Sequence, residues 1–139
     1  AFVAIFTGTG GADFLLGFIQ DMEANRWIVL AVMLAILFFL GMFLDEIGII
    51  LLCVPVFLPV IDFLDFDRLW FGILFLVSAQ MAYISPPFGY TLFALKSAWR
   101  EATLAKVFSA AWPFVLLYVL GMVILALVPG LTTLLPSML

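Results

Sequence analysis

The residues with the most chemistry to offer lie in and around "YISPPFGYTLF", residues 83–93. Ser85, Tyr90 and Thr91 bring hydroxyls, Gln80 brings an amide just upstream, and Gly89 lets the backbone approach a ligand closely. Among them stand two adjacent prolines, Pro86 and Pro87, inside an uncharged run from Leu69 to Leu95 that is long enough to cross a bilayer. A proline in a helix interior deletes a backbone hydrogen bond and clashes with the preceding turn, at ~3 kcal/mol each. Hydrocarbon cannot satisfy the freed carbonyls and amides, so such backbone persists at membrane depth only where protein buries it or a wet cavity reaches it. Two half-helices then point their ends at one place. The N-terminus of the second offers N–H groups to an anion, and the C-terminus of the first offers carbonyl oxygens to a cation such as Na⁺. The chemistry implied is non-covalent: holding a substrate and an ion at a broken helix. The alternative is a purely structural kink, repaired by Ser and Thr hydroxyls and a neighbouring helix.

Covalent chemistry has little to work with. The chain has no His and a single Cys, Cys53, so a Ser-His-Asp or Cys-His site, the usual zinc sites and an internal disulfide are all excluded within it. An intramembrane enzyme would need an Asp pair or Ser-Lys chemistry, yet the acidic residues fall at the ends of apolar runs and Ser85 has no Lys within its segment. We expect neither enzyme activity nor an organic cofactor.

The composition sets the surroundings of that break. Hydrophobic residues make up 68% of the 139 and charged residues 10%, too little polar surface to coat a soluble domain. The class expected is an all-α integral membrane protein. The net charge of −4 is confined to short segments, and no basic patch suggests nucleic acid. The 16 Phe and 4 Trp suit lipid-facing surfaces and interface belts. Ala1 lies in apolar sequence without a basic leader, which reads as a piece of a longer protein and not as a signal peptide.

The elements that must position the break follow from the runs of apolar sequence. Residues 1–9 look like the end of a helix, broken by Gly10 and Gly11. Residues 12–23 place Phe14, Leu15, Phe18, Ile19 and Met22 at helical spacing, giving a short amphipathic helix that either lies at the interface or merely connects. Trp27 to Leu44 is uncharged and covers roughly 27 Å as a helix, close to a ~30 Å hydrocarbon core. The run 47–61 is as apolar but shorter, carries Pro55 and Pro59, and has acidic residues on both flanks: Asp45 and Glu46 before, Asp62, Asp65 and Asp67 after. It reads as a re-entrant hairpin with Val54–Phe57 near its tip, or else as a kinked spanning helix. Residues 69–95 form the broken helix, interrupted at 84–88. Residues 96–106 form a polar loop, and 108–128 a last spanning helix before a tail containing Pro and Gly.

Basic residues set the orientation. The 96–106 loop holds three of the five, Lys96, Arg100 and Lys106, and is placed in the cytoplasm, which puts 62–68 outside. With a hairpin at 47–61, Asp45 and Asp62 share a side and Arg26 lies inside; with a full span, Arg26 lies outside. The hairpin turn and the break would then face one another. This gives a Na⁺ site from Val54, Pro55, Ser85, Pro86 and Pro87, beside a substrate site from Gln80, Ser85, Gly89, Tyr90 and Thr91.

The order of these features resembles a known family. "GMFLDEIGIILLCVPVFLPVI" (41–61) followed by "LWFGILFLVSAQMAYISPPFGYTLFALK" (69–96) is similar to the C-terminal part of the large membrane subunit, the DctM-type permease, of tripartite ATP-independent periplasmic (TRAP) transporters. Pro113, Pro129 and Pro136 also resemble that family's end, and the likeness covers essentially the whole chain. The resemblance implies an elevator-type secondary transporter in the bacterial inner membrane. It implies Na⁺-coupled uptake of an organic acid (a dicarboxylate, sugar acid or 2-oxo acid) delivered by a periplasmic binding protein, and a small membrane subunit that braces the large one. It also implies two inverted halves, each with a hairpin and a broken helix, of which this chain would hold the second. Relatives often carry Thr at the position of Ser85; the hydroxyl is retained. The rival reading is a membrane anchor or assembly subunit whose prolines are only structural. It predicts that Ser85, Gln80 and Thr91 face lipid or bond locally instead of converging.

Overall fold

The computed structural model describes residue 5 and residues 8–21, 25–86, 89–99 and 101–132. The helices with described bounds are α1 Gly11–Asp21, α2 Arg26–Gly41, α3 Glu46–Phe63, α4 Arg68–Ile84, α5 Tyr90–Ala98 and α6 Leu104–Leu127. No strand occurs among the described residues. α3 and α6, at 18 and 24 residues, are long and apolar enough to cross a membrane, and α2 and α4 are shorter apolar helices.

The helix starts are written in the local sequence. The Asn25 side chain accepts a hydrogen bond from Trp27 N at 3.0 Å, and that of Asp67 from Trp70 N at 2.8 Å. Thr103 caps α6 the same way through Lys106 N. Each fills one of the donors a helix N-terminus leaves orphaned. Because Thr103 can cap, the polar loop expected over 96–106 shrinks to the few residues between Ala98 and Leu104. Between α3 and α4, Asp65 takes a left-handed backbone (φ 57°), a conformation a short polar side chain tolerates.

The hairpin expected at 47–61 is not what forms. α3 runs unbroken from Glu46 to Phe63 with Pro55 and Pro59 inside it. The physical reason is spacing. Two prolines four residues apart lie on one side of the helix and each removes a single donor, so the remaining bonds carry the helix through. Asp45 and Asp62 therefore stand at opposite ends of α3, roughly 25 Å apart along its axis, and not on one side. α6 likewise continues through Pro113.

α4 is the central helix, packed against α2, α3, α5 and α6. Trp70, Phe71, Leu74, Phe75, Ser78, Ala79, Met81 and Ala82 are all buried along it. Its contact with α2 is close because the facing residues are small: a Cβ added at Gly41 would sit 2.7 Å from the Ala82 Cβ. Ser78, with no exposed surface, donates from Oγ to the Leu34 carbonyl of α2 at 3.2 Å. Small residues with an occasional interhelical hydroxyl bond are how helices associate where lipid removes the hydrophobic drive. On the other flank Trp70 Nε1 donates to the Leu125 carbonyl of α6 at 2.8 Å. At the far end of α4, Ile84 shares a groove with Ala111, Phe114 and Tyr118, so the two helices run antiparallel.

α1 lies along α3, with Leu16 and Ile19 turned to the core and Phe14 and Phe18 exposed. The inward face is thus carried by Leu16 and Ile19, one step round from the stripe expected; the side chain of Leu15 and all of Met22 lie outside the described residues. Much of the apolar surface stays uncovered, including Phe39, Phe43, Phe114, Leu116, Leu117, Leu120 and Leu127. A soluble monomer rarely leaves so much apolar area in water; a bilayer or further protein is its natural complement.

Candidate functional site

The segment 69–95 is interrupted. α4 ends at Ile84, Ser85 turns extended (φ −84°, ψ 128°), and α5 begins at Tyr90 after Gly89. Ser85 adopts the backbone that a residue before proline prefers, and Pro86 itself precedes another proline. Two consecutive residues excluded from helical geometry stop the helix, where isolated prolines in α3 and α6 do not.

The hydroxyls around the break finish the end of α4. Ser85 Oγ donates to the Met81 carbonyl at 2.7 Å, Ser85 N donates to the Ala82 carbonyl at 3.2 Å, and Thr91 Oγ1 donates to the Tyr83 carbonyl at 2.8 Å. Three successive carbonyls that a helix C-terminus leaves orphaned are thus satisfied. The Thr91 bond crosses the interruption and ties the start of α5 to the end of α4. Gly89 is needed for space: a Cβ there would meet Leu92 Cδ1 at 2.9 Å and the Ser85 carbonyl oxygen at 3.1 Å.

The residues expected to form the site are dispersed. Ser85 and Gly89 are buried at the break and Pro86 is half-buried, while Thr91 is exposed and Gln80 is exposed on α4. Pro87 and the Tyr90 side chain lie outside the described residues. Val54 and Pro55 are not brought to the break. They lie about nine residues into α3, roughly 14 Å along its axis from Glu46, and the next turn of α3 places Phe57 against Phe71, near the opposite end of α4. The continuous helix is the reason, since its carbonyls stay engaged and no tip forms. Ser85 and Thr91 bond locally, the pattern set out above for a structural role. A hydroxyl that donates its proton still keeps lone pairs for a cation.

Sequence reasoning missed the acidic neighbour of the break. A cleft of about 470 Å³ is lined by Gly41–Glu46 and Tyr83. It lies where α2 ends and α3 begins, beside the last turn of α4. Asp45 stands at the N-cap of α3 without a side-chain capping bond, and Gly48 leaves room for its carboxylate: a Cβ there would meet Asp45 Oδ1 at 2.7 Å. Its position along the bundle follows from α6. Ile84 shares a groove with Ala111 and Phe114, so the break lies roughly 10–15 Å in from the start of that helix. The signal available in the sequence was the acid pair itself; its place beside Tyr83 and the end of α4 was not legible without the packing of the helices. No group of three or more His, Cys, Asp or Glu suited to a metal ion occurs among the described residues.

A bundle of apolar helices with exposed apolar flanks and one interrupted helix is the architecture of an integral membrane segment. The sequence matches the tripartite ATP-independent periplasmic transporter, DctM component, over residues 1–131, and the chain belongs to that family. An uncharacterised protein of Salmonella typhimurium, YgiK, is 31% identical over 120 residues, which cover 86% of this chain and 27% of that protein. The C4-dicarboxylate TRAP transporter large permease protein DctM of Pseudomonas aeruginosa is 27% identical, with 88% of this chain and 29% of that protein covered. The sialic acid TRAP transporter permease protein SiaT of Haemophilus influenzae is 26% identical, with 80% and 18% covered. The chain therefore spans less than a third of the length of these relatives. No solved structure matches. DctM and SiaT are transport proteins, not enzymes.

Proposed function

We propose that this chain is part of the large permease subunit of a TRAP transporter, in a bacterial inner membrane, that takes up an organic acid. The match over residues 1–131 carries the reading. The substrate class is an acid such as a dicarboxylate, sugar acid or 2-oxo acid, delivered by a periplasmic binding protein, and a small membrane subunit accompanies the permease. Two features support this: relatives with such printed substrates, and an interrupted helix beside a cleft that carries Asp45 and Glu46. Coupling to Na⁺ deepens the proposal. The ion would take the Ser85 hydroxyl and backbone carbonyls of the Ser85–Pro86 break, since Na⁺ prefers oxygen ligands and uncharged ones release it. The substrate carboxylate would face the N–H groups at the start of α5, with Thr91 and Gly89 beside it. Movement of an elevator kind within an inverted repeat completes the proposal.

The test is reconstitution of the full-length permease with its small subunit in vesicles, with the binding protein outside. A radiolabelled organic acid should accumulate when Na⁺ is higher outside and stop when the gradient is collapsed. Accumulation indifferent to Na⁺ would remove the coupling, and no accumulation with any acid the binding protein holds would remove the transport reading. The anchor reading draws support from the local bonds of Ser85 and Thr91; it predicts that both can be replaced without loss of transport.

A further inference from the structure

One end of the bundle carries a cation with no ionic partner among the described residues. Arg26, the first residue of α2, is exposed and forms no ion pair with any described residue; the salt bridge at that end joins Arg68 to Asp62, Nε to Oδ1 at 2.7 Å and Nη2 to Oδ2 at 2.7 Å. Instead its guanidinium lies over two rings, 5.0 Å from the Phe66 centroid and 5.7 Å from that of Trp27. Those rings meet edge to face at 5.3 Å, and Trp70 packs against both, at 5.2 Å from Phe66 and 6.2 Å from Trp27. The Trp70 indole is held by the Leu125 carbonyl. The start of α2, the α3–α4 turn and the end of α6 thus share one level, marked by three aromatic rings, as at a membrane–water interface. Stacking fixes the plane of a guanidinium while leaving its N–H edge for a bidentate acceptor.

We propose that Arg26, held on the Trp27–Phe66 shelf, binds the phosphodiester of a phospholipid headgroup. The neighbouring charges choose the lipid. Asp65 and Asp67 flank Phe66 in sequence, and the Asp62–Arg68 pair is already neutral. One free cation beside two carboxylates fits a zwitterionic headgroup, with phosphate on Arg26 and a primary ammonium toward the Asp residues. An anionic glycerol headgroup would meet repulsion there.

The experiment uses the full-length permease in detergent. It is exchanged into mixed micelles holding equal phosphatidylethanolamine and phosphatidylglycerol, and retained lipid is counted by native mass spectrometry. Phosphatidylethanolamine should be enriched, and Arg26→Gln should lower its retention roughly tenfold, the loss expected of a charge-assisted bond. Lys106→Gln, at the other end of α6, should leave it unchanged. Arg26→Lys, which keeps the charge without the fork, should fall between, and it serves if Arg26→Gln does not yield folded protein. Inorganic phosphate added in excess should displace none of the lipid; displacement would assign the site to free phosphate. Equal lipid retention by Arg26→Gln, or enrichment of phosphatidylglycerol, would overturn the proposal.

Discussion

Replacing Ser85 by Ala separates the two roles open to its hydroxyl. The side chain is 2% exposed and its Oγ donates to the Met81 carbonyl at 2.7 Å. As a helix-end cap alone, it contributes about 1 kcal/mol net, and Ser85→Ala lowers stability by that much with no effect on ions. As a Na⁺ ligand it contributes a further ~1.5–3 kcal/mol to the bound state, which raises the Na⁺ concentration for half-maximal uptake roughly tenfold to 150-fold. The assay is initial uptake by the reconstituted full-length transporter over a Na⁺ series, beside thermal unfolding without Na⁺. We expect both to change. Thr132 supplies the control, since its Oγ1 makes the same kind of bond, 2.7 Å to the Pro129 carbonyl, far from the break. Thr132→Val should cost similar stability and leave the Na⁺ dependence alone. An unaltered Na⁺ dependence in Ser85→Ala, with lowered stability, would refute the ligand role.

Other outcomes follow from the packing. In a Cys53→Ser background, Asp45→Cys and Asp62→Cys should be labelled by an impermeant maleimide from opposite faces of the membrane; labelling from one face would contradict a spanning α3. Gly41→Val should force α2 from α4, because even a Cβ lies 2.7 Å from Ala82; overpacking of this kind costs about 1–3 kcal/mol, read as a lower thermal midpoint. Trp70→Phe keeps the ring but loses the bond to the Leu125 carbonyl, and should cost about 1 kcal/mol by the same measurement. Thr91→Val frees the Tyr83 carbonyl across the break, and should speed amide exchange in α5 while leaving α6 unchanged.

The apolar runs and the double proline were legible because each acts locally. Charge-free length sets where helices can span, and consecutive prolines exclude helical geometry whatever surrounds them. Pro55 and Pro59 misled for the complementary reason. Whether a helix survives isolated prolines depends on the bonds around them and on packing partners, and Phe57 against Phe71 supplies such a partner for α3. The site was legible in its elements and not in its assembly. Ser85, Gly89 and Thr91 do gather at the break, but pairing it with Pro55 assumed a turn that the helix does not make. The Asp45–Glu46 cleft and the Ser78 bond to Leu34 depend on which helix lies beside α4 and at what height, which one sequence does not state.

The hydrogen bonds that α4 makes to its neighbours have a mechanical consequence. It is pinned to α2 through Ser78 and to α6 through Trp70, one bond on each flank and set about two turns apart along its length. Each bond fixes the height of one neighbour against α4, so α2, α4 and α6 form one plate held in register. α3 meets that plate through apolar side chains, which can slip by one another without breaking a directional bond. α5 joins it by the stretch after Ser85, by the Thr91 hydroxyl and by apolar packing on α6, with Leu92 clustered with Val107 and Ala111 and the Phe93 ring edge-on to Phe108. The face between α3 and the plate is therefore the seam that can slip without breaking a directional bond between helices.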